Sequence, residues 1–78
     1  MEDLKKQIFE TNQTVWKLIK KWLSIDWSVD SNWEIMANDC TKAWNELKTD
    51  NEAIDEFTSA MLVKATVLIE ALHKEGKV

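Results

Sequence analysis

Residues 31–52 read SNWEIMANDCTKAWNELKTDNE, a stretch that contains one amphipathic helix together with the signals for both of its ends. Ser31 and Glu34 have the spacing of a capping box, in which two side chains bind backbone N–H groups at a helix N-terminus. The apolar residues that follow recur every three or four positions, as on the buried face of a helix. They are Trp33, Met36, Ala37, Cys40, Ala43, Trp44 and Leu47. The pattern predicts a helix over residues 31–48, with Ile35 as the one apolar residue off that face.

A second helix boundary follows at once. Thr49 and Glu52 repeat the capping-box spacing, and a helix continued through them would turn its apolar face by about 100°. We therefore predict a third helix over residues 50–75, which ends at Gly76 because glycine adopts the left-handed backbone of a helix stop. Its predicted core residues are Ile54, Phe57, Met61, Ala65, Leu68 and Leu72, flanked by a line of small residues at Ala53, Ala60, Val67 and Ala71 and by the further apolar residues Leu62, Val63 and Ile69.

The N-terminal residues predict another amphipathic helix, over residues 2–23, with two apolar stripes. The predicted core stripe is Leu4, Ile8, Val15, Leu18, Ile19 and Trp22, and the second stripe is Phe9, Trp16 and Leu23. Two apolar stripes on one helix indicate that it packs against two neighbours. In residues 24–30, apolar and polar residues alternate, which is typical of an extended connector that lays one side on the helices.

Size and composition indicate one small globular domain over residues 1–78. The chain has five tryptophans, no proline and one glycine, and 45% of its residues are hydrophobic and 31% charged. Each buried tryptophan removes about 150–250 Å² from water. All ten basic residues are lysine, a bias that indicates an A/T-rich coding genome such as that of a low-G+C bacterium or its phage.

The expected fold is all-α, a three-helix antiparallel bundle. The predicted third helix is about 39 Å long and the second about 26 Å, so the second cannot cover the third. Either the first helix or a second copy of the chain covers the remainder. Because small residues allow helices to approach closely, we expect a homodimer joined through the long C-terminal helix at Ala53, Ala60, Val67 and Ala71. A monomeric three-helix bundle is the alternative.

Cysteine content and hydropathy indicate the cytoplasm. One cysteine cannot form a disulfide within the chain, which fits a reducing compartment. The first six residues contain no apolar signal core. The most apolar run, residues 60–72, is too short to span a bilayer and includes Lys64 and Glu70. We expect no membrane interaction.

Few residues could support catalysis or metal binding. A nucleophilic pair of Cys40 and His73 would need a hydrogen bond between them, yet Cys40 lies on the predicted buried face and His73 in the last turn of the third helix. Glu70 and His73 have the Glu-x-x-His spacing of di-iron bundles, but both lie outside the predicted core. We therefore expect no enzyme activity and no catalytic, cofactor or metal site. A metal-dependent bundle enzyme would require Glu70 and His73 inside a core.

Charge is distributed unevenly along the chain. Residues 1–25 contain five lysines and three acids, residues 26–56 two lysines and nine acids, and residues 57–78 three lysines and two acids. The acidic middle would repel phosphates, and the chain has no arginine for bidentate contacts. The alternative function is a nucleic-acid-associated regulator, in which helix 1 would bind single strands by charge and stacking. The residues concerned are Lys17, Lys20, Lys21, Trp16 and Trp22.

Surplus apolar surface favours a different function, protein binding. The chain has more apolar side chains than so small a core needs, and tryptophan is a preferred anchor at interfaces. The surplus residues are Phe9, Trp16, Leu23, Trp27 and Ile35. The acidic middle segment would attract a basic partner surface. The alternative is that these residues complete the core. We predict a small acidic helical interaction module, an adaptor, regulator or inhibitor, in which truncation of Trp44 destabilises the fold more than truncation of Trp27.

Overall fold

The computed structural model describes residues 2–78, which fold into three α-helices and one short 3₁₀ turn. Helix α1 spans Glu2–Leu23, α2 spans Trp33–Leu47 and α3 spans Glu52–Lys74, while the 3₁₀ turn at Asp30–Asn32 leads into α2. The all-helical prediction is confirmed, and each helix boundary lies within two residues of the predicted one. The helices pack as a bundle that measures 43 × 19 × 16 Å.

Both predicted capping boxes are replaced by other contacts. Asn32 precedes α2 as its N-cap without capping it through its side chain, which instead donates to the main-chain oxygen of Asp26 at 2.8 Å. At α3 the cap is Asn51, whose Oδ1 accepts a hydrogen bond from the backbone N–H of Ile54 at 3.1 Å. Thr49 donates its backbone N–H to Asp55 Oδ1 at 2.7 Å and so closes the turn between α2 and α3.

The core contains residues from all three helices and from the connector. Its buried apolar members are Val15, Trp22, Trp27, Met36, Ala43, Ile54, Leu62, Ala65 and Ile69. Around them lie half-buried residues such as Trp33, Trp44 and Leu47. The first turns of α1 contribute less than predicted, because Leu4 and Ile8 are exposed. Helix α2 has 15 residues against 22 in α1 and is too short to cover the whole of it.

The buried face of α3 is turned relative to the predicted one. Ile54 and Ala65 are buried as expected, but Thr58, Leu62 and Ile69 complete the buried set. The prediction that Phe57 and Leu68 lie in the core is wrong, since both are exposed. The cause is the position of the two neighbouring helices, which pack on the other edge of the broad apolar arc of α3.

Polar contacts link α1 to both other helices. The buried hydroxyls of Thr11 and Thr58 form a hydrogen bond of 3.0 Å between α1 and α3. Asp39 of α2 accepts from Trp22 Nε1 at 2.9 Å and lies 2.9 Å from Lys21 Nζ. These contacts fix the position of α1 along its neighbours, because a shift of one turn would leave buried polar groups without partners.

None of the helices in residues 2–78 is long and apolar enough to cross a membrane.

Candidate interaction surfaces

The second apolar stripe of α1 is exposed. Phe9 and Trp16 retain 63% and 56% of their accessible surface, and Leu23 is also exposed. The seven-residue spacing places the three side chains on one side of the helix. Helix α2 contacts α1 on another side, through Lys21 and Trp22. The stripe therefore lies on the flank of α1 that turns away from α2 and towards α3.

Helix α3 also has an exposed apolar side, which begins beside α1. Ile8 of α1 lines a cleft of about 200 Å³ together with Ala53, Ile54 and Phe57, so this edge of α3 faces α1. Helical spacing extends the same side of α3 towards its C-terminal half. We call the combined surface the α1/α3 face; its members are Phe9, Trp16, Leu23, Ala53, Phe57, Ala60, Val67, Leu68 and Ala71, all of them exposed.

The α1/α3 face has the size of a protein interface. Aromatic side chains have full areas of about 150–250 Å², and the exposed fractions of the nine residues together give on the order of 800 Å². A standard protein–protein interface buries about 800 Å² per partner. Three residues predicted to bind a partner (Phe9, Trp16 and Leu23, on α1) and four predicted to join a dimer (Ala53, Ala60, Val67 and Ala71, on α3) are exposed, and helical spacing assigns them to this face.

Trp27 is not available to a partner. The side chain is 1% exposed, and its Nε1 donates to the main-chain oxygen of Trp22 at 2.7 Å. The expectation that Trp27 is a surface anchor is therefore wrong. The connector folds back under the end of α1, where the main-chain oxygen of Trp22 accepts both from the Trp27 indole and from the backbone N–H of Ile25. Ile35, the remaining predicted partner residue, is half-buried.

A second surface lies between α2 and α3. It is an open groove of about 580 Å³. We call it the α2/α3 groove; its lining is Trp33, Met36, Ala37, Cys40, Thr41, Trp44, Ser59, Leu62, Val63, Thr66 and Glu70. Val63 is 56% exposed within it. The sequence pattern identified most of the α2 residues but assigned them to a closed core, because periodicity cannot tell a groove wall from a core face.

Cys40 belongs to the wall of this groove. Partial burial, and to a smaller degree the nearby Asp39 carboxylate, raises the pKa of its thiol. The thiol form therefore predominates at neutral pH, and the nucleophilic thiolate is disfavoured. His73, the only histidine, is engaged elsewhere: its Nδ1 lies 2.8 Å from the main-chain oxygen of Val78, and its ring meets Trp33 edge-on. The geometry does not unite Cys40 and His73 as a nucleophilic pair.

Glu70 and His73 lie together but without further ligands. Both line a shallow cleft of about 300 Å³ with Trp33 and Lys74. Within residues 2–78, no group of three or more His, Cys, Asp or Glu side chains could hold a metal ion.

The predicted nucleic-acid residues are only partly available. Trp22 is completely buried, so it cannot stack on a base, and Lys21 is paired with Asp39. Trp16 is exposed, with Lys20 Nζ 5.6 Å from the centre of its ring. One exposed indole with a neighbouring lysine provides much less than the row of stacking platforms and cations that single-strand binding uses.

Comparison of the chain with protein-family models, with curated proteins and with solved structures gave no match.

Proposed function

We propose that this chain is a small helical protein–protein interaction module that acts as a homodimer joined through the α1/α3 face. The proposal is supported by the cleft that Ile8 of α1 shares with Ala53, Ile54 and Phe57 of α3, and by the helical spacing that extends the face along both helices. The face combines exposed aromatic side chains on α1 with a row of small side chains on α3, over an area that matches a standard interface.

The order of the helices supports this choice of surface. Ile8 lies beside Ile54, and Thr11 is hydrogen-bonded to Thr58. Later residues of α1 therefore meet later residues of α3, as in two parallel helices. Trp33, at the start of α2, adjoins His73, near the end of α3. We infer an up–down–up bundle in which α2 is antiparallel to both other helices. In such a bundle α2 leaves the outer side of the α1–α3 pair uncovered.

The accessible surface of the chain is larger than that of a typical monomeric protein of its mass, as expected for a subunit without its partner. The chain exposes 5542 Å², whereas the size scaling of monomeric proteins gives about 4,900 Å² for a chain of this mass. Its elongated form contributes to the difference. Pairing through the α1/α3 face would remove the largest group of exposed apolar side chains from water.

A two-fold dimer would use the two halves of the face differently. In an isologous interface the same patch meets itself, so α3 of one copy would cross α3 of the other. Ala53, Ala60, Val67 and Ala71 would allow close approach of the two backbones. Phe9 and Trp16 would then reach across to the partner and act as the anchors that dominate binding energy.

The oligomeric state tests the proposal. Light scattering during size-exclusion chromatography, together with sedimentation equilibrium, should give twice the chain mass at micromolar concentration. Val67→Glu should shift the protein to monomers, because two carboxylates would be buried without partners. Val29→Glu is the matched control, since Val29 is an exposed valine in the connector, and should leave the dimer intact. A wild-type mass of one chain at every concentration would rule the dimer out.

A further inference from the structure

We propose that the α2/α3 groove binds an amphipathic helix of a partner protein, one with leucine-like residues on one face and lysine or arginine along its flanks. The inference builds on the proposed function, because it names the class of partner. The surface that would bind this partner is separate from the α1/α3 face that would join the dimer. Ser59, Val63, Thr66 and Glu70 line the groove on the side of α3 that faces α2, whereas the α1/α3 face lies on the α1 side.

The groove has the length and chemistry of a helix-binding site. Trp33 and Trp44 are eleven residues apart on α2, which corresponds to about 16 Å along the helix axis. That distance spans three turns of a bound helix, whose anchors recur at positions i, i+3 or i+4, and i+7. Met36 and Leu62 form a buried floor, and Val63 projects from the opposite wall.

Two of the three hydroxyl groups that line the groove, those of Thr41 and Thr66, donate hydrogen bonds within their own helices. Thr41 Oγ1 donates to the main-chain oxygen of Ala37 at 3.1 Å, and Thr66 Oγ1 donates to that of Val63 at 2.7 Å. Sites for small polar ligands present converging polar groups that fix the ligand's orientation. With these two donors occupied, the groove favours an apolar occupant.

Acidic residues border the groove on both sides. Glu70 belongs to its lining. Glu52 and Glu56 precede Ser59 and Val63 by seven residues on α3 and so share their face of the helix. On α2, Glu34 precedes Thr41 by the same interval.

These four glutamates are exposed. Two lysines offset them in part: Lys74 lines a cleft with Glu70, and Lys48 follows Thr41 by seven residues and so shares its side of the chain. The border therefore has a net negative charge, in a chain whose formal net charge is −4. Negative potential around an apolar groove attracts a helix with cationic flanks and repels one with acidic flanks. This complementarity identifies the basic class of amphipathic helix as the occupant.

Fluorescence anisotropy with labelled peptides tests the pairing. The probe is an 18-residue peptide of leucine and lysine arranged as an amphipathic helix. Two controls are a peptide with glutamate in place of every lysine and a scrambled leucine–lysine peptide. We expect at least tenfold tighter binding of the amphipathic basic peptide than of either control. Equal affinity for the glutamate peptide would refute the charge argument, and equal affinity for the scrambled peptide would refute helix recognition.

Two variants with the same net charge separate groove binding from general attraction. Val63→Lys places a cation in the groove, while Val29→Lys places one in the connector, where Val29 is 44% exposed. We expect Val63→Lys to lower the affinity for the basic peptide at least tenfold and Val29→Lys to change that affinity less than twofold. Equal loss in both variants would overturn the inference. Circular dichroism checks that both remain folded. Should Val63→Lys unfold, Glu70→Gln provides a second groove variant, and it changes the net charge by the same one unit as Val29→Lys.

Alkylation of the single cysteine gives a readout at the site itself. Saturating basic peptide should slow the reaction of Cys40 with iodoacetamide at least fivefold, because Cys40 lines the groove. An unchanged rate at saturation would mean that the peptide binds elsewhere. The dimer test is independent: a dimer that does not bind the peptide removes only this inference, and a monomer that binds it removes only the dimer.

Discussion

The indole N–H of Trp27 donates a 2.7 Å hydrogen bond to the main-chain oxygen of Trp22. Trp33 extends the arrangement, since its Nε1 donates to the main-chain oxygen of Trp27 at 3.1 Å and the two rings lie 4.7 Å apart. Two indole groups thereby hold the connector between α1 and α2, together with the 3₁₀ turn at Asp30–Asn32 and the hydrogen bond from Asn32 to Asp26. Its conformation depends on side chains that are themselves part of the core.

This contact reverses the predicted order of two truncations. Trp27→Ala should destabilise the protein by about 3–5 kcal/mol, because it opens a cavity in the core and removes the hydrogen bond to Trp22. Trp44→Ala should cost about 2 kcal/mol, since Trp44 is only half-buried. Urea denaturation followed by circular dichroism measures both. A larger loss for Trp44→Ala would mean that Trp27 is not a core residue.

The Thr11–Thr58 pair should behave as one unit. Replacing either threonine by valine leaves a buried hydroxyl without a partner, so each single variant should lose about 1–3 kcal/mol. Replacing both removes the polar groups together and should cost less than the sum of the single changes. A double-mutant cycle measures the coupling. Additive losses would show that the two hydroxyls do not depend on each other.

Asp39 should contribute more to stability than Lys21, its partner in the ion pair. Asp39→Ala removes the acceptor of the Trp22 indole and should destabilise by about 1–3 kcal/mol. Lys21→Met removes only a partly exposed ion pair and should change stability by less than about 1 kcal/mol. Thermal unfolding of the two variants provides the comparison. Equal losses would show that the ion pair, and not the indole hydrogen bond, is the important contact.

Cys40 should react slowly with alkylating reagents. Because burial and the neighbouring Asp39 raise the pKa of its thiol, the thiolate fraction should begin to rise at a higher pH than in a free cysteine peptide. The rate of iodoacetamide modification measured from pH 7 to 10 should therefore lag behind that of the peptide. Asp39→Asn should shift the profile to lower pH, as it removes the negative charge but keeps a hydrogen-bond acceptor. A profile that coincides with the free peptide would contradict the assignment.

The two proposed interaction surfaces were only partly predictable from the sequence. The stripe of Phe9, Trp16 and Leu23 was recognisable as surplus because it lies beside a complete core stripe on the same helix. For Val63 the sequence indicates only that it widens the apolar surface of α3. Its place opposite Trp44 depends on the distance between α2 and α3, which no pattern within one helix contains.

The amino-acid sequence by itself determined that the chain forms three helices and where they begin and end to within two residues, because apolar periodicity acts over a few neighbouring positions. The caps of α2 and α3 are not the predicted ones. Only the tertiary structure decided which part of each apolar arc is buried. On α3 the arc is wider than its two neighbours can cover, so their positions place Leu62 and Ile69 inside and leave Phe57 and Leu68 outside. In the connector, Trp27 packs into the core that the helices form, and the end of α1 provides an acceptor for its indole N–H.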